Sequence, residues 1–186
     1  MFTNGGAPVG VPPLGRWPTA CPFSESQALA LGWDGRLASV VTRAYLAHGG
    51  RATRLFVPRQ HASLLLPDAW SEVVWLEAAA DWHHPAAWGA LLQAVQAEGL
   101  RAIVLPAFRD ASVSGDLWHA AAEAMQRYDC ELWVPMLHLG PQDLARLGDW
   151  LGVDWRSTPA CEQGQACGEC AGCQERRKLR AALGSG

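Results

Sequence analysis

Arg101-Ala-Ile-Val-Leu105, Asp116 to Arg127 and Glu131-Leu-Trp-Val134 are the stretch on which the fold turns. The first is a short apolar run of the length and composition of a buried strand. The second repeats its apolar residues at helical spacing, with Leu117, Trp118, Ala121, Ala124 and Met125 predicted to face inward. The third is again strand-like. A strand, a helix and a strand in succession predict a parallel pair covered by the helix.

The same alternation continues in both directions. Downstream, Pro141 suits the first position of a helix with Asp143 near its positive end and Leu144, Leu147 and Leu151 as its stripe. Upstream, Gln27-Ala-Leu-Ala-Leu31 reads as a strand broken by Gly32. Leu37, Val40, Val41, Ala44 and Tyr45 then follow at helical spacing, up to the stop Gly49-Gly50. Thr53–Val57 and Val73–Leu76 are further strands. Between Pro85 and Gly99 a helix places Trp88, Leu91, Leu92 and Val95 on one face. The expected fold is α/β, a parallel sheet flanked by helices on both faces. In such sheets ligands bind beyond the carboxyl ends of the strands. The candidate loops are therefore Gly32–Arg36, Pro58–Ala62, Pro106–Asp116 and Pro135–Gly140.

Composition narrows the classes. The 186 residues suit one domain with at most a small appendage, and 49% hydrophobic against 18% charged residues supplies a core and excludes a disordered chain. The formal charge is −3 with the two signs mixed, so nucleic acid is not an expected partner. The exception is the terminal run Arg176-Arg177-Lys178 with Arg180, which has the pattern of a solvated helix face. No run approaches the roughly 18 apolar residues that cross a bilayer, so no membrane span is expected. The Gly- and Pro-rich start lacks a charged n-region and an apolar h-region, so it is read as a flexible leader over residues 1–24 and not as a secretory signal. The expected compartment is the cytoplasm. The ten tryptophans show no repeat period and are read as packing residues.

Cys161, Cys167, Cys170 and Cys173 stand as C-x5-C-x2-C-x2-C. Zinc takes four thiolates at the corners of a tetrahedron, and a C-x2-C turn supplies one edge of it. Gly164, Gly168 and Gly172 are expected to let the loop close tightly. Four thiolates leave no open position, which makes the ion structural. An iron–sulfur cluster uses the same donors, and two disulfides are the remaining alternative, disfavoured in a reducing compartment. Cys130, before a strand, is expected to be buried, and Cys21 to be an ordinary loop thiol.

These residues carry a resemblance. Trp155-Arg-Ser-Thr-Pro-Ala-Cys161, then Cys167-Gly-Glu-Cys170-Ala-Gly-Cys173-Gln-Glu-Arg176, resembles the C-terminal signature of 7-cyano-7-deazaguanine synthase (QueC), a family of PP-loop ATP pyrophosphatases. The order of elements from Arg101 to Leu183 is similar to the second half of that family. The resemblance implies an adenine nucleotide alpha hydrolase-like sheet, here as residues 25–155, with residues 156–186 forming a zinc knuckle and final helix packed on the same domain. It also implies a homodimer. The family turns a 7-carboxy-deazaguanine into the nitrile with ammonia and ATP, and a Ser-Gly-Gly-x-Asp-Ser loop after its first strand cradles the phosphates.

This chain departs from that pattern in three places. Leu31-Gly-Trp-Asp-Gly-Arg36 stands at the phosphate loop, without the hydroxyls and with Trp33 where a small residue belongs. Ala111-Ser-Val-Ser-Gly115 replaces the family's Gly-Tyr-Pro-Asp-Cys-Arg, and no lysine follows the strand end near Pro141. ATP binding is therefore not expected.

Other polar residues at the strand ends could hold a small ligand: Asp34 and Arg36, Arg59 and His61, Asp110, and His138. Helix-end ion pairs and solvated loops account for the same charges. Adjacent His83-His84 point to opposite sides in an extended segment and do not suggest a second metal site. The sequence points first to a zinc-binding, non-catalytic or repurposed relative of the synthase that binds a partner or small ligand. An active ATP-dependent ligase of queuosine and deazaguanine metabolism, and a nucleic-acid-associated zinc module, are the alternatives.

Overall fold

The computed structural model describes residues 18–65, 73–77, 85–109, 115–154, 161 and 167–183. Its strands are β1 (Leu29–Gly32), β2 (Thr53–Pro58), β3 (Val73–Leu76), β4 (Ala102–Val104) and β5 (Glu131–Trp133). Its α-helices are α1 (Leu37–His48), α2 (Pro85–Ala97), α3 (Gly115–Gln126), α4 (Pro141–Trp150) and α5 (Ala171–Leu183). A 3-10 helix, Arg59–Leu64, occupies most of the stretch read as a loop after β2.

All five strands are parallel, in the order β3-β2-β1-β4-β5. The chain runs outward from β1 through β2 to β3, then returns to the other side of β1 for β4 and β5. The order therefore reverses between β1 and β4, and a crevice at the carboxyl ends of those two strands is where sheets of this kind take ligands.

Side chains alternate across the sheet with the period of two that a strand imposes. Leu29 and Leu31, Leu55 and Val57, Ala102 and Val104 face one way, into a core completed by α1 and α4. Ala30, Phe56 and Ile103 face the other way, against Trp88, Leu91, Leu92 and Val95 of α2 and Trp118, Ala121 and Met125 of α3. With helices on both faces the central strands are fully buried, which is why they read as unbroken apolar runs. The inward stripe expected on α3 is narrower than its spacing suggested, because Ala124 is exposed beside it.

Of the ten tryptophans, the six that are described are all buried or half-buried, as packing residues should be. Residues 18–24, assigned to the leader, lie on the sheet. The Thr19 amide donates to the Pro135 carbonyl at 3.1 Å. The Trp133 Nε1 donates to Thr19 Oγ1 at 2.7 Å, and Phe23 meets the Trp133 ring edge-on at 6.1 Å. An apolar Phe23 can bury itself there, and the Gly- and Pro-rich composition that suggested a leader belongs to residues outside those described. Helix α5 packs against α4 and α1. No helix among the described residues is long and apolar enough to cross a membrane.

Candidate functional site

Two features stand at the carboxyl side of the sheet and are joined by α5. The first is the cysteine cluster. The Sγ atoms of Cys161, Cys167, Cys170 and Cys173 all lie within 4.8 Å of one another and could hold a metal ion. Cys161 and Cys167 are 3.6 Å apart, Cys167 and Cys173 3.9 Å. A tetrathiolate with metal–sulfur bonds of about 2.3 Å has edges of about 3.8 Å, which these two separations match.

The local fold accounts for the approach. Gly168 sits at φ +81°, a conformation that lets the chain reverse between Cys167 and Cys170. The Cys170 amide points at Cys167 Sγ at 3.4 Å, a contact that stabilises a thiolate. Arg177 reaches back to the Gly168 carbonyl at 2.8 Å and fastens the turn to α5. Gly172 does not have the role expected of it. It lies inside α5, which begins at Ala171. Cys173 is therefore presented by the first turn of a helix. Gly164 lies outside the described residues.

The second feature is the turn from β1 into α1. Arg36 caps the helix with extended backbone but offers no side-chain hydrogen bond, so the first amides of α1 need partners from elsewhere. Glu175, on α5, supplies one: its Oε1 accepts the Ala38 amide at 3.1 Å. Asp34 organises the rest. Its Oδ1 accepts from the Arg36 amide at 3.0 Å and from the Ser39 hydroxyl, while the Asp34 amide points at Ser39 Oγ at 3.4 Å. Arg36 Nε lies 3.8 Å from Asp34 Oδ2.

Asp34, Ser39 and Glu175 are all buried. Burial pushes the Glu175 carboxyl up to about 8, and the neighbouring Asp34 adds to the rise; the Ala38 amide, Arg36 and Lys178 act against it. Gly35 completes the turn at φ +73°, and a Cβ there would come within 2.2 Å of the Leu64 side chain. Two carboxyl groups thus stand at the end of a helix whose amides and dipole would otherwise favour an anion.

Asp34 and Arg36 are brought together by this turn. His61 is buried in the 3-10 helix, with Gln60 Nε2 3.2 Å from its Nε2. Arg59 instead makes an exposed ion pair with Glu77, at the β3 side, 2.5 Å away. His138 is half-buried in the turn after β5. Asp110 and His83-His84 lie outside the described residues, as does Ala111-Ser-Val-Ser up to Gly115.

The Trp33 side chain does not stand in the altered phosphate loop as its position suggested. The Trp33 indole is fully buried in the core and does not fill the loop, and its amide donates to the Phe56 carbonyl at 2.9 Å. The group that meets the α1 amides is Glu175. Sequence reasoning missed it and Ser39. The available signal was spacing: Glu175 stands four residues before Leu179, a polar residue on the same stripe of a helix.

The cysteine-bearing part of the chain matches a known family. Residues 105–183 match the family described as queuosine biosynthesis protein QueC. The chain is 33% identical over 63 residues to 7-cyano-7-deazaguanine synthase of Coxiella burnetii (strain RSA 493 / Nine Mile phase I), which covers 32% of this chain and 28% of that protein. It is 44% identical over 50 residues to 7-cyano-7-deazaguanine synthase of Methanoregula boonei, covering 26% of this chain and 23% of that protein. The chain thus aligns with less than a third of the length of either relative. The β1–α1 turn lies outside the family match, and the cysteines and α5 lie within it.

Proposed function

We propose that this chain, QueC-like over residues 105–183, is a zinc-binding protein that no longer carries out an ATP-dependent ligation and instead binds a partner or a small ligand. The observation that carries the reading is the Glu175 carboxyl on the Ala38 amide, beside the buried Asp34. The resemblance to PP-loop enzymes puts the phosphate cradle after the first strand. Here that position is taken by a side chain of the same molecule, and a polyphosphate would meet the charge of Asp34 at close range. Coulomb repulsion between unit charges about 4 Å apart is roughly 4 kcal/mol at a protein surface, enough to cancel much of what backbone amides offer an anion.

Zinc is the ion we assign to the four cysteines. Thiolate donors select it over harder divalent cations, and the separations of Cys161 from Cys167 and of Cys167 from Cys173 suit its bond length. Four protein ligands fill its shell, so its contribution is to folding. An iron–sulfur cluster is distinguished by its visible absorption and iron content.

The test is calorimetric titration of the zinc-loaded protein with Mg-ATP. No binding heat is expected at millimolar nucleotide. Micromolar binding would return the chain to the enzyme reading. That second reading has the names of its relatives in its favour. It requires release of AMP and pyrophosphate from ATP in the presence of a carboxy-deazaguanine and ammonia.

A further inference from the structure

We propose that α5 is a metal-tied latch on the β1–α1 turn: an ion held by the four cysteines keeps the Glu175 carboxyl seated on the Ala38 amide, and loss of the ion releases it. The inference rests on the reading that the cysteines hold a metal. It adds a consequence for a site that the metal does not touch.

Among the described side chains of α5, Glu175 alone is buried, and Gln174, Arg177, Lys178 and Arg180 are exposed. The buried side chain among those described is a carboxyl, placed beside a second carboxyl, Asp34. Burial of such a group costs free energy unless its partners compensate, and a single amide hydrogen bond at 3.1 Å compensates only in part. By itself the Glu175 seat is therefore a weak restraint, and it persists best where the helix is held in register by something stronger.

Cys173 provides it. It lies two residues before Glu175 in the same helical turn, about 200° away around the axis at 100° per residue. The first turn of α5 is thus gripped from two sides, by the cysteine cluster and by α1. Metal–thiolate bonds are the stronger grip, since structural zinc sites contribute folding free energy outright. With Cys173 released, the first turn of α5 keeps only the Glu175 seat and the packing of α5 against α4 and α1. The Ala38 amide then returns to the state of an uncapped helix end, open to solvent.

Amide exchange followed by NMR on the full chain tests the latch, with metal content measured on the same samples. Removal of zinc by a chelator is expected to speed exchange of the Ala38 amide about tenfold or more, while the Leu31 and Val104 amides of the central strands stay protected. By linkage, Glu175→Ala should weaken zinc affinity, measured at equilibrium in competition with the chelator, by a comparable factor. Glu175→Ala should also leave the Ala38 amide fast and insensitive to metal.

Zinc lost with no change at Ala38 would overturn the latch and leave the metal assignment intact. A chain that binds no metal would remove both. If stripping unfolds the whole chain, the zinc affinity decides: an unchanged affinity in Glu175→Ala overturns the latch, and a weaker one supports it.

Discussion

Gly35 is the residue at which the β1–α1 turn is least tolerant. Its φ of +73° disfavours any side chain, and a Cβ would overlap the Leu64 side chain at 2.2 Å. Backbone strain and overpacking add, so Gly35→Ala is expected to destabilise the fold by about 2–4 kcal/mol, read from urea unfolding. A loss under about 0.5 kcal/mol would mean that the turn and the 3-10 helix separate easily. The two cysteines outside the cluster differ in the same local way. Cys130 is buried, and burial first, then Asp129, raises its thiol above the ordinary range, with Arg101 opposing. Cys21 is only half-buried. Since the thiolate is the nucleophile, an aromatic disulfide reagent added to the zinc-loaded protein should modify Cys21 first and leave Cys130 unreacted until unfolding. Fast modification of Cys130 would contradict its placement under α2 and α3.

At the scale of elements, the cysteine cluster and α5 act as one unit. Cys170→Ala removes one corner of the tetrahedron and the amide contact of that residue with Cys167 loses its setting. The expected result is loss of stoichiometric zinc together with aggregation or poor folding, measured by metal content and thermal unfolding. A soluble, equally stable Cys170→Ala protein without metal would show that the cluster is dispensable for folding. The elements themselves were legible from periodicity because strands buried on both faces and helices with a single stripe leave plain patterns: β3 and α4 begin at the residues that spacing suggested, Val73 and Pro141. The 3-10 helix at Arg59–Leu64 was not legible, since Arg-Gln-His-Ala has neither period. The start of α5 was missed because Ala171-Gly172-Cys173 reads as loop until a folded cluster fixes it. The cysteines were found by spacing, a covalent-chemistry signal that survives without tertiary context. Glu175 was not, because its partner Ala38 lies 137 residues away and contributes only a backbone amide, which no sequence displays.

At the scale of the whole molecule, charge decides between the remaining partners. The formal net charge of −3 leaves no general attraction for a polyanion. The cations of α5 are concentrated on one short helix: Arg177, Lys178 and Arg180 are exposed, and Arg177 already donates to the Gly168 carbonyl. Such a face can neutralise about two or three phosphates, which sets the slope of log affinity against log salt at roughly −2 for a single strand. The six described tryptophans are buried or half-buried and offer no stacking platform to replace the missing electrostatics. A labelled single-stranded RNA should therefore show no binding by fluorescence anisotropy at physiological salt, and at most a weak, shallow salt-dependent association at low salt. Sub-micromolar binding with a slope near −6 would require a basic surface built from more than α5, by association of several chains or from residues outside those described, and would move the protein into the nucleic-acid class.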